Sequence, residues 1–129
     1  MPAASEAGDC GGTRLCRCGD RVVEDYRLSS DLGPCPKNGL LVREGVTLDG
    51  GGHAVHGSRT QKTWGLMLDE RSHGSRIVDI EVTGFERGVR VAGAQGVRLE
   101  RVESHHNGDT KAHKGYGIDV ARGASDVVI

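Results

Sequence analysis

The stretch that decides the fold is "GSRIVDIEVTGFERGVRVAGAQGVRLERVESHHNGD", residues 74–109. Within it, the strand pattern Ser-Arg-Ile at 75–77 returns 22 residues later as Val-Arg-Leu at 97–99. The pattern Ile-Glu-Val at 80–82 returns at the same interval as Val-Glu-Ser at 102–104. Two short strand patterns that recur together at one interval indicate chain coils stacked on each other.

A second repeat, Gly-apolar-x-apolar, extends this pattern over most of the chain. It begins at Gly39, Gly65, Gly88 and Gly117, at successive intervals of 26, 23 and 29 residues. Three alternating strands per coil of about 22 residues predict a parallel β-solenoid. Alternation sends every second side chain inward, where it stacks on its equivalents one coil above and below. The residues expected inside are Leu66, Leu68, Val89, Val91, Ile118 and Val120.

Composition supports an all-β chain and excludes several classes of function. Aromatic residues make up only 3%, whereas there are 21 glycines, which suits short strands joined by tight turns. The net charge of −1 offers no basic surface for nucleic acid or an anionic membrane. No apolar segment approaches the roughly 20 residues of a membrane span, and residues 1–9 lack the apolar core of a signal peptide.

All four cysteines fall within the first 35 residues, at Cys10, Cys16, Cys18 and Cys35. Their spacing matches no standard zinc motif well, so two disulfides are favoured over a metal site. Because Cys16 and Cys18 are too close to pair comfortably, the preferred pairs are Cys10–Cys16 and Cys18–Cys35. Two disulfides imply an oxidising compartment, extracellular or periplasmic.

The repeats resemble those of the right-handed parallel β-helix family, the pectate-lyase-like superfamily with its carbohydrate-binding and sugar-hydrolase repeats. The resemblance is carried by residues 45–58, 74–109 and 115–129, while residues 18–42 are similar to the N-terminal cap and first coil of secreted members. It implies a right-handed parallel β-helix with a disulfide-rich N-terminal cap. It does not imply one activity, since the fold hosts lyases, hydrolases, epimerases and adhesins.

The chain divides on this basis into three parts. Residues 1–17 form a cysteine-containing N-terminal extension, residues 18–45 the cap and first coil, and residues 46–129 the β-helix coils. Val127–Ile129 repeats the pattern of 97–99, so the sequence stops inside a coil. Since an open solenoid end exposes unpaired backbone, we expect further C-terminal coils or a partner subunit to cover it.

The outward side chains are expected to form ladders along the solenoid axis. Glu81 should stack over Glu103, with Asp79 and Arg101 alongside to offset the repulsion between like charges. The resemblance implies that such carboxylates hold Ca²⁺ in uronate lyases, which marks Glu81 and Glu103 as metal-binding candidates.

Arginines form the second ladder, with Arg76 expected over Arg98. Two guanidinium groups on one face could grip a carboxylate-bearing sugar polymer, and the resemblance implies that an arginine can also act as the base in a lyase. The alternative is a solvated ladder interleaved with Glu100. Arg90 is a further substrate-binding candidate, and Trp64 is one of two aromatic residues available to stack on a sugar.

The interval of 29 residues before Gly117 exceeds a coil by seven, which predicts an insertion over residues 105–116. Insertions in solenoids project from the turns on one face, and that face is often the binding face. Histidine can act as acid, base or ligand near neutral pH. Adjacent His105 and His106 should face opposite sides if they lie on a strand. The catalytic candidates here are His105, Lys111, His113, Tyr116 and Asp119; the alternative is a hydrated loop.

"YGID", residues 116–119, is similar to the tyrosine–aspartate motif of alginate C5-epimerases. That motif continues with Pro-His, whereas this chain continues with Val120 and Ala121. The simpler interpretation of Asp119 is an exposed ion pair with Arg90. His53 and His56 are interpreted as turn or surface residues.

Three functions are compatible with these patterns. The first is an exported enzyme or binding protein for an acidic polysaccharide, of the lyase, hydrolase or epimerase type. The second is a non-catalytic cell-surface or periplasmic scaffold or adhesin. The third is a copper-maturation role, which would favour methionine and histidine ligands, although Met67 is the only internal methionine.

Overall fold

The computed structural model describes residues 8–60, 62–107 and 116–120, for residues 116 and 117 the backbone only. These residues form short β-strands and no helix, as the composition predicts. None of them forms a helix that could cross a membrane. The strands are β1 (Asp9–Cys10), β2 (Arg21–Val22), β3 (Tyr26–Arg27), β4 (Leu32–Cys35), β5 (Leu40–Val42), β6 (Thr47–Asp49), β7 (Ala54–Gly57), β8 (Trp64–Leu68), β9 (Arg76–Thr83), β10 (Arg87–Val91), β11 (Arg98–Ser104) and β12 (Tyr116–Val120).

The strands form two sheets in which every strand pairing is parallel. The first sheet has the strand order β1-β2-β5-β8-β10-β12. The second sheet has the order β3-β6-β9-β7-β4, and β11 also pairs with β9 in it. Neighbours in each sheet come from successive passes of the chain, so the fold is a parallel β-solenoid of about four turns. The predicted fold class is confirmed. β1 lies within the predicted N-terminal extension and adds one more strand to the first sheet.

The register confirms the stacking predicted from the glycine repeat. Leu66 lies between Leu40 and Val89, and Val89 in turn pairs with Ile118. The first three side chains of this column are fully buried, and Ile118 packs against them. Val120 departs from the prediction, because it is 46% exposed. Among the described strands β12 has a neighbour on one side only, so Val120 is covered by Val91 alone.

The two long strands of the second sheet bend at one residue each. Asp79 in β9 and Arg101 in β11 have φ values of 51° and 52°, in the left-handed region. The bend lets the first half of β9 pair with β6 and its second half with β7. Gly51, with φ 58°, precedes them in the coil below. The outward face of the second sheet is therefore folded along a line that follows the solenoid axis.

Both predicted disulfides are present, Cys10–Cys16 and Cys18–Cys35, and no free cysteine remains. Cys10 and Cys35 are buried in the N-terminal end of the core, which their cross-links close. The stabilisation from a disulfide grows with the chain length that it closes, and the separations are 6 and 17 residues.

We expect the longer cross-link to stabilise the fold more. Replacing Cys18 and Cys35 by alanine should lower the free energy of unfolding by about 3 kcal/mol, and replacing Cys10 and Cys16 by about 2 kcal/mol. Urea titrations of the two double variants, followed by circular dichroism, measure the difference. A larger loss from the Cys10/Cys16 variant would contradict the entropic explanation.

Candidate functional site

A cleft of about 670 Å³ lies along the bend of the second sheet. Its lining comes from successive coils, since β3, β6, β9 and β11 follow each other in that sheet. The cleft therefore runs along the solenoid axis. Its lining residues are Arg27, Gly51, Gly52, Asp79, Ile80, Glu81, Arg101, Val102 and Glu103.

One wall of the cleft carries arginines. The Arg101 guanidinium donates to both carboxylate oxygens of Asp79 one coil below, through Nε and through a second nitrogen at 3.3 Å. This hydrogen bonding holds the pKa of Asp79 below its usual value and raises the pKa of Arg101. Arg27 adds to the lowering of the Asp79 pKa by its charge, and no hydrogen bond or ion pair holds its own side chain within the described residues. The predicted Asp79–Arg101 pair is confirmed.

The other wall carries stacked carboxylates. Glu81 and Glu103 are partners in the β9–β11 register, as predicted. His105, which follows β11, places Nε2 2.5 Å from Oε2 of Glu81. One donor atom from each of these three side chains lies within 4.8 Å of the others. The side chains of Glu81 and His105 remain about 40% exposed, so the cluster is open to ligands from solvent.

His105 and His106 do not face opposite sides, which corrects the expectation for a strand. β11 ends at Ser104, and His106 has a left-handed φ of 54°, so the chain turns between the two residues. Their Nδ1 atoms approach to 2.5 Å. The amide of Asn107 fixes this turn, because it donates to the Val82 carbonyl oxygen at 3.1 Å and to Ser104 Oγ at 3.0 Å.

The donors of this cluster do not match the Ca²⁺ that the resemblance implies. Ca²⁺ takes six to eight oxygen ligands, whereas the cluster offers two carboxylates and an imidazole nitrogen. A mixed set of nitrogen and oxygen donors suits a first-row transition ion better. The prediction of Glu81 and Glu103 as neighbours is confirmed, and the chemistry of the site changes because His105 joins them.

No known protein family, curated protein or solved structure matches this chain. The solenoid assignment therefore depends on the parallel strand register itself.

The predicted arginine ladder forms, but it lies outside the lining of the cleft. Arg76 and Arg98 are partners in the β9–β11 register. Arg76 donates through Nε to Glu100 at 2.5 Å, which is the interleaved arrangement considered from the sequence. Since Arg76 is already engaged, a substrate carboxylate would have to compete with Glu100 for its guanidinium.

The remaining candidates of the described region lie on the first sheet. Arg90 donates to Asp119 at 3.0 Å, and the same carboxylate lies 3.5 Å from Nε of Arg87. The predicted ion pair is therefore present, although both partners are only about one quarter exposed. Trp64, half-buried in β8, shares a register position with Arg87 and Tyr116. For Tyr116 only the backbone is described. These residues belong to a different sheet from His105, so the predicted catalytic set is divided.

Lys111 and His113 lie outside the described residues, as does most of the predicted insertion. The described part of the candidate site on the second sheet is therefore the cleft and the cluster of Glu81, Glu103 and His105.

A second histidine cluster was not predicted from the sequence, because the carboxylate that joins the two histidines comes from another coil. His53 and His56 are surface residues, as interpreted, and each places a ring nitrogen 3.5 Å from a different oxygen of Asp31. The N–H of Ala54 donates to Asp31, which is the main reason that the pKa of Asp31 lies below its usual value. Nδ1 of His56 also contacts Thr83 Oγ1 at 2.9 Å.

The sequence does contain a signal for the cleft. Inward residues normally alternate with outward ones, but Ile77 and Ile80 are both buried and three positions apart, with Val78 between them buried as well. Leu99 and Val102 repeat this spacing one coil later. A spacing of three on a strand requires a bend, and the bend locates the cleft.

Proposed function

We propose that this chain binds an acidic polysaccharide in the cleft, as a member of the pectate-lyase-like β-helix group. One observation carries the proposal: charged side chains from successive coils line a single cleft along the axis. Stacked coils repeat about every 4.8 Å, so an extended polymer along the cleft would contact side chains of one coil after another. The two disulfides are consistent with export.

The two walls would recognise different parts of the polymer. Arginine binds carboxylates in a two-pronged manner, so Arg27 would contact a uronate carboxylate directly, whereas at Arg101 the uronate would have to compete with Asp79. Glu81 and Glu103 would accept hydrogen bonds from sugar hydroxyls. If the polymer is also processed, His105 is the described residue that could transfer a proton, since it lies beside Glu81 at the cleft.

We expect Arg27→Gln and Arg101→Gln each to weaken the binding of oligogalacturonate and oligoalginate about tenfold. A hydrogen bond between charged groups contributes about 1.5–3 kcal/mol, and loss of Arg101 also leaves Asp79 facing the ligand. Isothermal titration calorimetry measures the change, with dextran as the uncharged polymer.

Arg71→Gln is the matched control. Arg71 is exposed in the turn between β8 and β9, so this substitution removes the same charge outside the cleft. Equal affinity in all three variants, or equal affinity for dextran, would contradict binding in the cleft. Incubation with pectate and alginate tests the lyase version: a rise in the absorbance of unsaturated products shows lyase action, and its absence excludes a lyase but leaves hydrolysis, epimerisation and non-catalytic binding.

Copper handling receives less support. Met67 lies on β8 in the first sheet, whereas Glu81 lies on β9 in the second sheet and His105 directly follows β11 of that sheet. The described residues therefore do not combine methionine and histidine donors at this cluster.

A further inference from the structure

We propose that Glu81, Glu103 and His105 form a binding site for a first-row transition metal ion of the zinc type. This inference does not depend on glycan binding. It starts from the register, which places two carboxylates of like charge directly over each other on adjacent strands. Such a stack is unfavourable unless a cation or proton is shared between its members.

The histidine supplies the donor that selects the metal. An imidazole nitrogen lies within 4.8 Å of a donor oxygen of each carboxylate, and nitrogen is a ligand for zinc rather than for calcium. Around a tetrahedral zinc ion, ligand atoms at about 2.1 Å from the metal lie roughly 3.4 Å from each other. The direct contact between Glu81 and His105, at 2.5 Å, must therefore open by about 1 Å to admit the ion. Both side chains are partly exposed, and Glu81 can make that adjustment by rotating toward solvent while His106 holds the ring of His105.

The contact between the two histidines supports the same site. Nδ1 of His105 lies 2.5 Å from Nδ1 of His106. Its other ring nitrogen, Nε2, faces the carboxylate of Glu81. The ring is therefore held through Nδ1 by His106 while Nε2 is directed at the cluster, as partners outside the ligand set orient ligating histidines in many metal sites.

Three protein ligands leave one tetrahedral position open. Glu81 and Glu103 both line the cleft, so this position would be available to water or to a ligand oxygen in the cleft. Structural zinc sites normally use four protein ligands, whereas sites that act on a ligand use three. The geometry points to the second kind.

The test is a calorimetric titration of the full chain, without an affinity tag, with zinc chloride. We expect one site per chain, with a dissociation constant in the micromolar range or lower. Glu81→Gln, Glu103→Gln and His105→Gln should each weaken zinc binding at least tenfold. Cobalt(II) should give the visible absorption of a tetrahedral ion, and His105→Gln should abolish that spectrum.

The second histidine cluster provides the matched controls. His53→Gln and His56→Gln remove the same side chain from the Asp31 cluster and should leave zinc binding within twofold. The proposal is overturned if zinc does not bind, if His105→Gln binds it as well as the parent, or if His53→Gln abolishes binding. It is also overturned if Ca²⁺ binds as tightly as zinc. Unfolding curves in the presence of a chelator establish that each variant is folded.

Discussion

Leu66→Asp is expected to leave the chain unfolded at room temperature. Leu66 is fully buried in the middle of an aliphatic column, between Leu40 and Val89. A carboxylate at this position would lose its hydration and find no cation among its apolar neighbours. Even if the carboxyl takes up a proton, a buried polar group without a partner and the lost packing of Leu66 together cost several kcal/mol, a large part of the 5–15 kcal/mol that stabilises a typical domain.

Met67→Asp is the matched control, since it places the same charge one residue further along β8. Met67 is half-buried rather than fully buried, and its register partner on β10 is Arg90, a cation that the new carboxylate would share with Asp119. We expect its effect to stay within about 1 kcal/mol. Far-ultraviolet circular dichroism and soluble yield distinguish the two outcomes. A folded Leu66→Asp protein, or two equally damaged variants, would mean that β8 does not alternate as described.

The contrast between Leu66 and Met67 shows why the fold could be predicted from the sequence. Stacking puts each inward residue on an equivalent one coil away, so the same local pattern must recur at coil spacing. Repetition of that kind is visible in one sequence without any relative. The pairing of Glu103 with Glu81 and of Arg98 with Arg76 followed from the same interval and is confirmed.

The site was less predictable, because its parts depend on where the strand pattern breaks. The bend at Asp79 and Arg101 creates the cleft, and the turn at His106 brings His105 to Glu81. Asp79, Arg101 and His106 all adopt a left-handed conformation. Aspartate and histidine adopt it more often than most residues but only in a minority of cases, so their presence in the sequence does not locate a bend or a turn. The contact of Asp31 with two histidines of the next coil likewise depends on side-chain reach across coils rather than on spacing.

The glycine that begins the Gly-apolar-x-apolar repeat allows close packing against neighbouring parts of the solenoid, and Gly65→Ala is expected to destabilise the fold by removing that space. A β-carbon at Gly65 would lie 2.3 Å from Cγ1 of Val82 and 2.7 Å from the carbonyl oxygen of Gly88. Val82 is fully buried, and the Gly88 oxygen belongs to the backbone of the next coil. Adding this methyl group must therefore push coils apart, at a cost of about 3 kcal/mol in the free energy of unfolding.

Two other glycines separate this steric cost from the conformational cost of losing a glycine. Gly8→Ala should be neutral, because the nearest heavy atom to its β-carbon is 3.8 Å away. Gly74→Ala has open space around it but a φ of 70°, so it should cost about 1 kcal/mol from backbone strain alone. Chemical denaturation should show Gly8→Ala to be the most stable of the three variants, Gly74→Ala to be intermediate and Gly65→Ala to be the least stable. A loss at Gly65 no larger than that at Gly74 would show that neighbouring coils are not in contact there, and the first position of the repeat would need a different explanation.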